Sequence, residues 1–192
     1  MSLIPPFEVG VSNAWIFMLC DMLLIPFFLL VARSRSIAPE KRQLAVMSRT
    51  KKIVFYSSKA IYLPALIYSI FLPLKLGTLW FYLGLPICLS GLTTGTITLI
   101  NWAATPPGQP VIGGLYRYSR HPGYLSSFLV YLGVGIASAS WIFLLFSIVF
   151  TAALFYFVSI EEQLTLEKYS DSYREYISKT PRYLTMWRSQ KQ

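Results

Sequence analysis

An uncharged run of 39 residues, Pro122 to Ile160, constrains this chain more than any other feature of its sequence. As one helix it would extend about 58 Å at 1.5 Å per residue, roughly twice the 30 Å hydrocarbon core of a bilayer. Two membrane passes absorb that length, with a turn at the small residues Ser138-Ala139-Ser140. Shorter runs of the same kind precede it. Together they predict an all-α integral membrane protein of about five transmembrane helices, near 13–32, 53–74, 78–102, 122–138 and 141–160. The last two form a tight helical hairpin; a re-entrant fourth span would leave four. Composition agrees, since 55% of the 192 residues are hydrophobic and 13% charged, against about a quarter charged in an average soluble domain.

Loop charge predicts the orientation, because cytoplasmic loops retain Lys and Arg. The segment Arg33 to Lys59 carries eight basic residues against one Glu, and the tail after Ile160 carries six. The second and third spans are joined through Lys75 alone, and the last two by a turn without charge. This alternation places the N-terminus outside and the C-terminus inside. The first apolar run is of full span length, contains Asp21 and Pro26, and has no basic segment before it, so it reads as retained rather than cleaved. The net charge of +9 is then a topology signal and an attraction to anionic lipid, with no nucleic-acid partner implied. Cys20 and Cys88 both fall within spans and act as small hydrophobes, indicating neither a disulfide nor a metal site.

A single membrane domain covering 1–192 is expected, as no low-complexity linker or repeat divides the chain. Two stretches are not membrane-like. The loop 103–121 contains Pro106, Pro107, Gly108, Pro110, Gly113 and Gly114, which cannot continue a helix and leave backbone donors free. It is either a simple linker or a structured loop. The C-terminal segment 161–192 begins as an amphipathic helix, with Leu164, Tyr169, Tyr173 and Tyr176 on one side and Lys168, Asp171, Arg174 and Glu175 mostly elsewhere. Pro181 ends that helix.

The lone histidine, His121, sits where the polar loop meets the fourth span, between Arg120 and Pro122. Pro122 suits a first helical turn, and free donors at a helix start favour anionic groups. In the plainer reading Arg117 and Arg120 anchor the helix among headgroups and the nearby tyrosines form an aromatic belt. Glu161 and Glu162 end the fifth span, with Glu167 one to two turns later. Acidic residues at the hydrocarbon edge usually face a partner or a polar cavity. Because spans four and five form a hairpin, Glu161 returns to the membrane face that holds His121, so the two clusters can line one cavity. Asn101, at the inner end of the third span, is either a helix cap or a ligand hydrogen bond from that same face.

In order and spacing, Gly114-Leu115-Tyr116-Arg117-Tyr118, Arg120-His121-Pro122-Gly123-Tyr124, the hairpin, Glu161-Glu162, Tyr169, Tyr173, Tyr176 and Pro181-Arg182 cover the last half of the chain. This pattern resembles the isoprenylcysteine carboxyl methyltransferase family, membrane enzymes that use S-adenosylmethionine, and in particular its prokaryotic members. The Arg-His-Pro-x-Tyr piece alone is similar in phospholipid methyltransferases and some sterol reductases. The resemblance implies a cytoplasm-facing pocket for S-adenosylmethionine and its product S-adenosylhomocysteine. Its contacts would be Gln109, Pro110, Val111 and Tyr116 from the loop, His121, Pro122, Gly123 and Tyr124 from the helix start, and Glu161 from the fifth span. Asn101 joins them by its place on the same face. Two features depart from the pattern: Leu125-Ser126 stands where family members often have glycine, and Phe155-Tyr156-Phe157-Val158 lacks the arginine of eukaryotic members.

The expected activity is methyl transfer in the membrane to a lipophilic acceptor, foremost the carboxylate of an isoprenylcysteine-like compound. Such an acceptor is already ionised and needs no base or metal; Arg120 would hold it, with Glu162 orienting Arg120. An amine acceptor, as in a phospholipid N-methyltransferase, would need Glu162 or Glu167 as a base. The rival readings are a sterol-reductase-like membrane enzyme using NADPH and a non-enzymatic membrane scaffold.

Overall fold

A computed structural model of the chain describes residues 9–32, 49, 62–106 and 108–183, with side chains outside 25–32. Most of the basic segment from Arg33 to Lys59, the first half of the expected second span and the tail beyond Tyr183 lie outside the described residues. Among the described residues every regular element is helical. The α-helices are α1 Trp15–Ala32, α2 Tyr62–Ile70, α3 Leu79–Ala104, α4 Pro122–Ala137 and α5 Trp141–Lys179, and a 3-10 turn, Gly114–Arg117, precedes α4.

Of the five expected spans, two meet the length and apolarity of a membrane crossing among the described residues, α3 and the apolar part of α5 up to Ile160. The apolar stretch Trp15–Leu24 of α1 and the whole of α4 are shorter. In α4 the reason is local. Proline sets its start, the turn after Ala137 sets its end, and its 16 residues extend only about 24 Å.

The hairpin turn falls at Ser138, Ala139 and Ser140, where Ala139 takes a φ of 51° and the Ser140 hydroxyl caps α5 by accepting from Phe143 N–H. The start of α1 and the end of α2 meet at this same end of the bundle: Ala14 N–H donates to Leu72 and Leu74 N–H to Ser12. Lys75 N–H reaches the carbonyl of Ala137, bringing in the approach to α3 and the end of α4. Among the described residues, the opposite end holds the loop after α3 and the polar half of α5.

What holds α3 to α4 is close backbone approach. Gly91 lies against the backbone of Val130 and Ser126, and Gly133 against Cys88, so neither position has room for a Cβ. The Ser126 hydroxyl donates to the Gly91 carbonyl at 2.8 Å across this seam. Between apolar helices in lipid, small residues and such hydrogen bonds supply the packing that a hydrophobic driving force cannot. On the other side of α4, Tyr131 packs edge-on to Phe150 at 4.7 Å and against Phe143 and Phe146, joining α4 to α5. Asp21 in α1 accepts from the Tyr62 hydroxyl of α2 at 3.1 Å, which supplies a partner to an acid placed among apolar helices.

Candidate active site

Two neighbouring features occupy the end of the bundle opposite the hairpin turn. The first is an open cavity of about 570 Å³ between the end of α3, the loop and α5, lined by residues that include Asn101, Pro106, Gln109, Pro110, Gly114 and Ser172. Asn101 lies inside the last turn of α3, with Thr105 as the helix end, so its side chain is not spent on capping. Its Nδ2 is buried and has no hydrogen-bond partner. Gly114, at a φ of 59°, packs directly on that amide, and a Cβ there would collide with it. The loop thus takes a left-handed turn so that it can close on Asn101 while leaving a donor beside the cavity.

Ser172 reaches the cavity because α5 bends. Ser170 has a φ of 46° and a ψ of −115°, outside helical values, and the helix beyond it turns onto the loop. There Tyr176 donates its hydroxyl to the Tyr116 carbonyl at 2.6 Å, and Tyr173 and Tyr176 are buried while Lys168, Asp171, Arg174 and Glu175 stay exposed. Burial, reinforced by nearby carboxylates, raises the phenols of Tyr116, Tyr173 and Tyr176, Tyr173 to about 12. All three therefore remain protonated near neutral pH.

The second feature is a polar cluster around Glu162. Its carboxylate is buried and meets His121 Nε2 at 3.1 Å, Arg120 Nη1 at 3.3 Å and Arg182 Nη2. An ionised carboxylate only accepts, so His121 Nε2 is the donor. Burial alone would raise the Glu162 pKa, but the hydrogen bonds from Arg182 and His121 and the charges of Arg120 and Arg182 outweigh it and hold the group below the ordinary carboxylate value. Beside it Glu161, about half exposed, accepts from the Tyr124 hydroxyl at 2.6 Å and lies 3.8 Å from His121 Nδ1. The His121 ring stacks on Tyr124 at 5.5 Å.

Helix starts and ends create this arrangement. His121 is the residue before α4, Pro122 fills the first helical position, and Glu161 and Glu162 lie where α5 returns from the hairpin. The expected site residues thus gather in two groups. Asn101, Gln109 and Pro110 line the cavity, whereas Arg120, His121, Tyr124, Glu161 and Glu162 make the cluster. Tyr116 and Tyr173 lie between the groups, since Tyr173 follows Ser172 and feels the charges of Glu162 and Arg120. Val111 and Gly123 are half-buried beside these residues, Pro122 is buried, and Glu167 is exposed further along α5. Ser172 and Gly114 at the cavity, and the contact of Arg182 with Glu162, carry no assignment from the sequence pattern. Gly114 and Arg182 both stand in that pattern, Gly114 as its first residue and Arg182 after the proline that ends α5, whereas Ser172 had no signal.

A family model described as phospholipid methyltransferase matches residues 74–172, just over half of the chain, taking in α3, the loop, α4 and α5 as far as Ser172. No curated protein matches it.

Proposed function

The chain belongs to the phospholipid methyltransferase family, and from that membership we propose that it is a membrane methyltransferase using S-adenosylmethionine and acting on a lipophilic acceptor. The observation that carries the reading is the buried, unpartnered Asn101 amide beside a 570 Å³ cavity, held in place by Gly114. Ligand sites of about 300–1,000 Å³ with a few convergent polar groups are the usual form for a cofactor of this size. Asn101, Gln109, Pro110, Val111 and Tyr116 would hold the cofactor on the loop side, and His121, Pro122, Gly123, Tyr124 and Glu161 on the helix side. When bound, the cofactor supplies a methyl group on a positively charged sulfur.

The chain's own residues then align and exclude water. Orientation of two reactants supplies about 7–11 kcal/mol of a barrier in favourable cases, so no covalent intermediate or metal is required. The ring of His121, fixed by Glu162 on one nitrogen and by Tyr124 through stacking, forms a rigid wall at the start of α4. Arg120 holds an acidic acceptor group, and Glu162 orients Arg120. Glu162 is a poor base, being engaged by three donors and held below its ordinary pKa, which favours a carboxylate acceptor of the isoprenylcysteine type. The family description favours a second acceptor, a phospholipid amine; Glu167, exposed on α5, would then take the proton.

We place the N-terminus outside and the site in the cytoplasm, as the basic segments require, with five spans in the full chain. A greasy acceptor enters laterally and a water-soluble cofactor from the cytoplasm. Calorimetry on protein purified in detergent tests the reading: S-adenosylhomocysteine should bind with a micromolar Kd, weakened by Asn101→Ala, His121→Ala and Glu161→Ala. No binding of S-adenosylhomocysteine, or a spectral response to NADPH in its place, would end the methyltransferase account.

A further inference from the structure

Beyond the end of α5 the chain folds back over the start of α4 as a short strap. The carbonyl of Pro181 accepts Arg120 N–H at 3.0 Å, and that of Arg182 accepts the Ser119 hydroxyl at 3.3 Å. The Tyr183 ring lies 4.4 Å from that of Phe155, fixing the strap to α5. The Arg182 side chain then returns to the cluster, with Nη2 on Glu162 Oε2 and Nη1 3.5 Å from the Ser159 hydroxyl. Arg120 takes the other oxygen of the same carboxylate.

Two guanidinium groups therefore share one buried carboxylate. The other nearby acid, Glu161, is turned toward Tyr124 and His121. A guanidinium carries five N–H donors, and in both arginines the Nε–H is buried without a partner. An unpaired buried donor is costly, more so when charged, and two guanidiniums on one carboxylate leave room for a second anion. The two halves differ in access: the Arg120 side chain is 10% exposed and fixed, whereas that of Arg182 is 40% exposed and is the half an incoming ligand meets first.

Resting on the methyltransferase reading above, we propose that Arg120 and Arg182 form an oxyanion subsite that takes the acidic group of the lipophilic acceptor, carboxylate or phosphate. Arg182 is the specificity-determining residue of the pair. The subsite exists only when the strap is docked, because the same three residues, Pro181 to Tyr183, carry its main-chain and ring contacts.

The full chain in detergent, titrated by intrinsic tryptophan fluorescence, tests this with probes sharing one farnesyl tail: N-acetyl-S-farnesylcysteine, its neutral carboxamide, and farnesyl monophosphate. An acid should bind roughly tenfold or more tighter than the carboxamide, as charge-assisted hydrogen bonds imply. Arg182→Gln should bring that preference close to one, and Arg182→Lys should leave it intermediate, since an ammonium cannot reproduce the planar fork. Preference for the carboxylate assigns the group to an acidic thioether, and preference for the phosphate to a phospholipid headgroup; either supports the subsite. Equal affinity for acid and carboxamide in the unmodified chain, or an undiminished preference in R182Q, overturns it. If R182Q does not fold, a preference in R182K equal to that of the unmodified chain overturns it. S-adenosylhomocysteine binding is measured separately, so loss of the methyltransferase reading is distinguished from loss of the subsite.

Discussion

Glu162 gathers three donors from two parts of the chain: His121 and Arg120 from the start of α4, and Arg182 from the strap. Removing the carboxylate leaves the buried Arg120 and the part-exposed Arg182 without their shared counter-charge, and breaking a buried ion pair such as Arg120–Glu162 costs about 3–5 kcal/mol. Glu162→Ala should therefore lower the thermal unfolding midpoint in detergent sharply, whereas Glu161→Ala, at a half-exposed position, should barely move it. The acid limb follows from the sign of the shift. A carboxylate whose folded pKa is depressed contributes stability that is fully present above its ordinary value of 4.5 and is lost as pH falls through the folded value. Unfolding midpoints measured from pH 7 downward should fall below about pH 4.5, and Glu162→Gln should flatten that fall. At the cavity, Gly114→Ala forces a Cβ into the Asn101 amide at a backbone angle that favours glycine. It should weaken S-adenosylhomocysteine binding roughly tenfold by calorimetry while leaving helix content unchanged, a loss of the order of one displaced hydrogen bond.

Among the elements, α3 and α4 depend on a seam with no room for side chains. Gly91→Val and Gly133→Val should each destabilise toward the upper end of the roughly 1–3 kcal/mol typical of overpacking, because the opposing atoms are backbone. Gly113→Ala, with open space around it, is the control. The bend in α5 holds Ser170 at a positive φ, so Ser170→Gly should raise the unfolding midpoint by relieving about 1 kcal/mol of strain. Element by element, the sequence is readable to different depths. The hairpin of α4 and α5 is legible because its apolar run is too long for one crossing and small residues break it where the turn forms. The bend at Ser170 has no such mark: serine there continues a helical pattern, and only the packing of Tyr173 and Tyr176 on the loop explains it. The short length of α4 is likewise a matter of where Pro122 and Ser138 fall rather than of hydropathy.

For the molecule as a whole, the helix order puts the loop after α3, the start of α4 and the polar half of α5 at one end. The structure adds that Glu162 makes the 3.1 Å contact with His121; the return of Glu161 to the His121 end, because α4 and α5 are a hairpin, could be read from spacing alone. Arg182 could not, since its approach to Glu162 depends on a strap that doubles back after Pro181 and ties itself to Ser119 and Arg120 through main-chain carbonyls. In the cavity beside Asn101, the parts of Gly114 and Ser172 escaped for a related reason: they reach it only through a left-handed loop turn and a bent helix. The most direct measurement of the central claim is transfer itself. The purified chain, reconstituted in vesicles of extracted membrane lipid, would be supplied with S-adenosylmethionine carrying a deuterated methyl group, and the lipid fraction analysed by mass spectrometry. The account predicts label in a lipophilic product that is absent with Asn101→Ala and reduced with Arg120→Gln; label recovered only in the unreacted cofactor, from protein shown to bind S-adenosylhomocysteine, would contradict it.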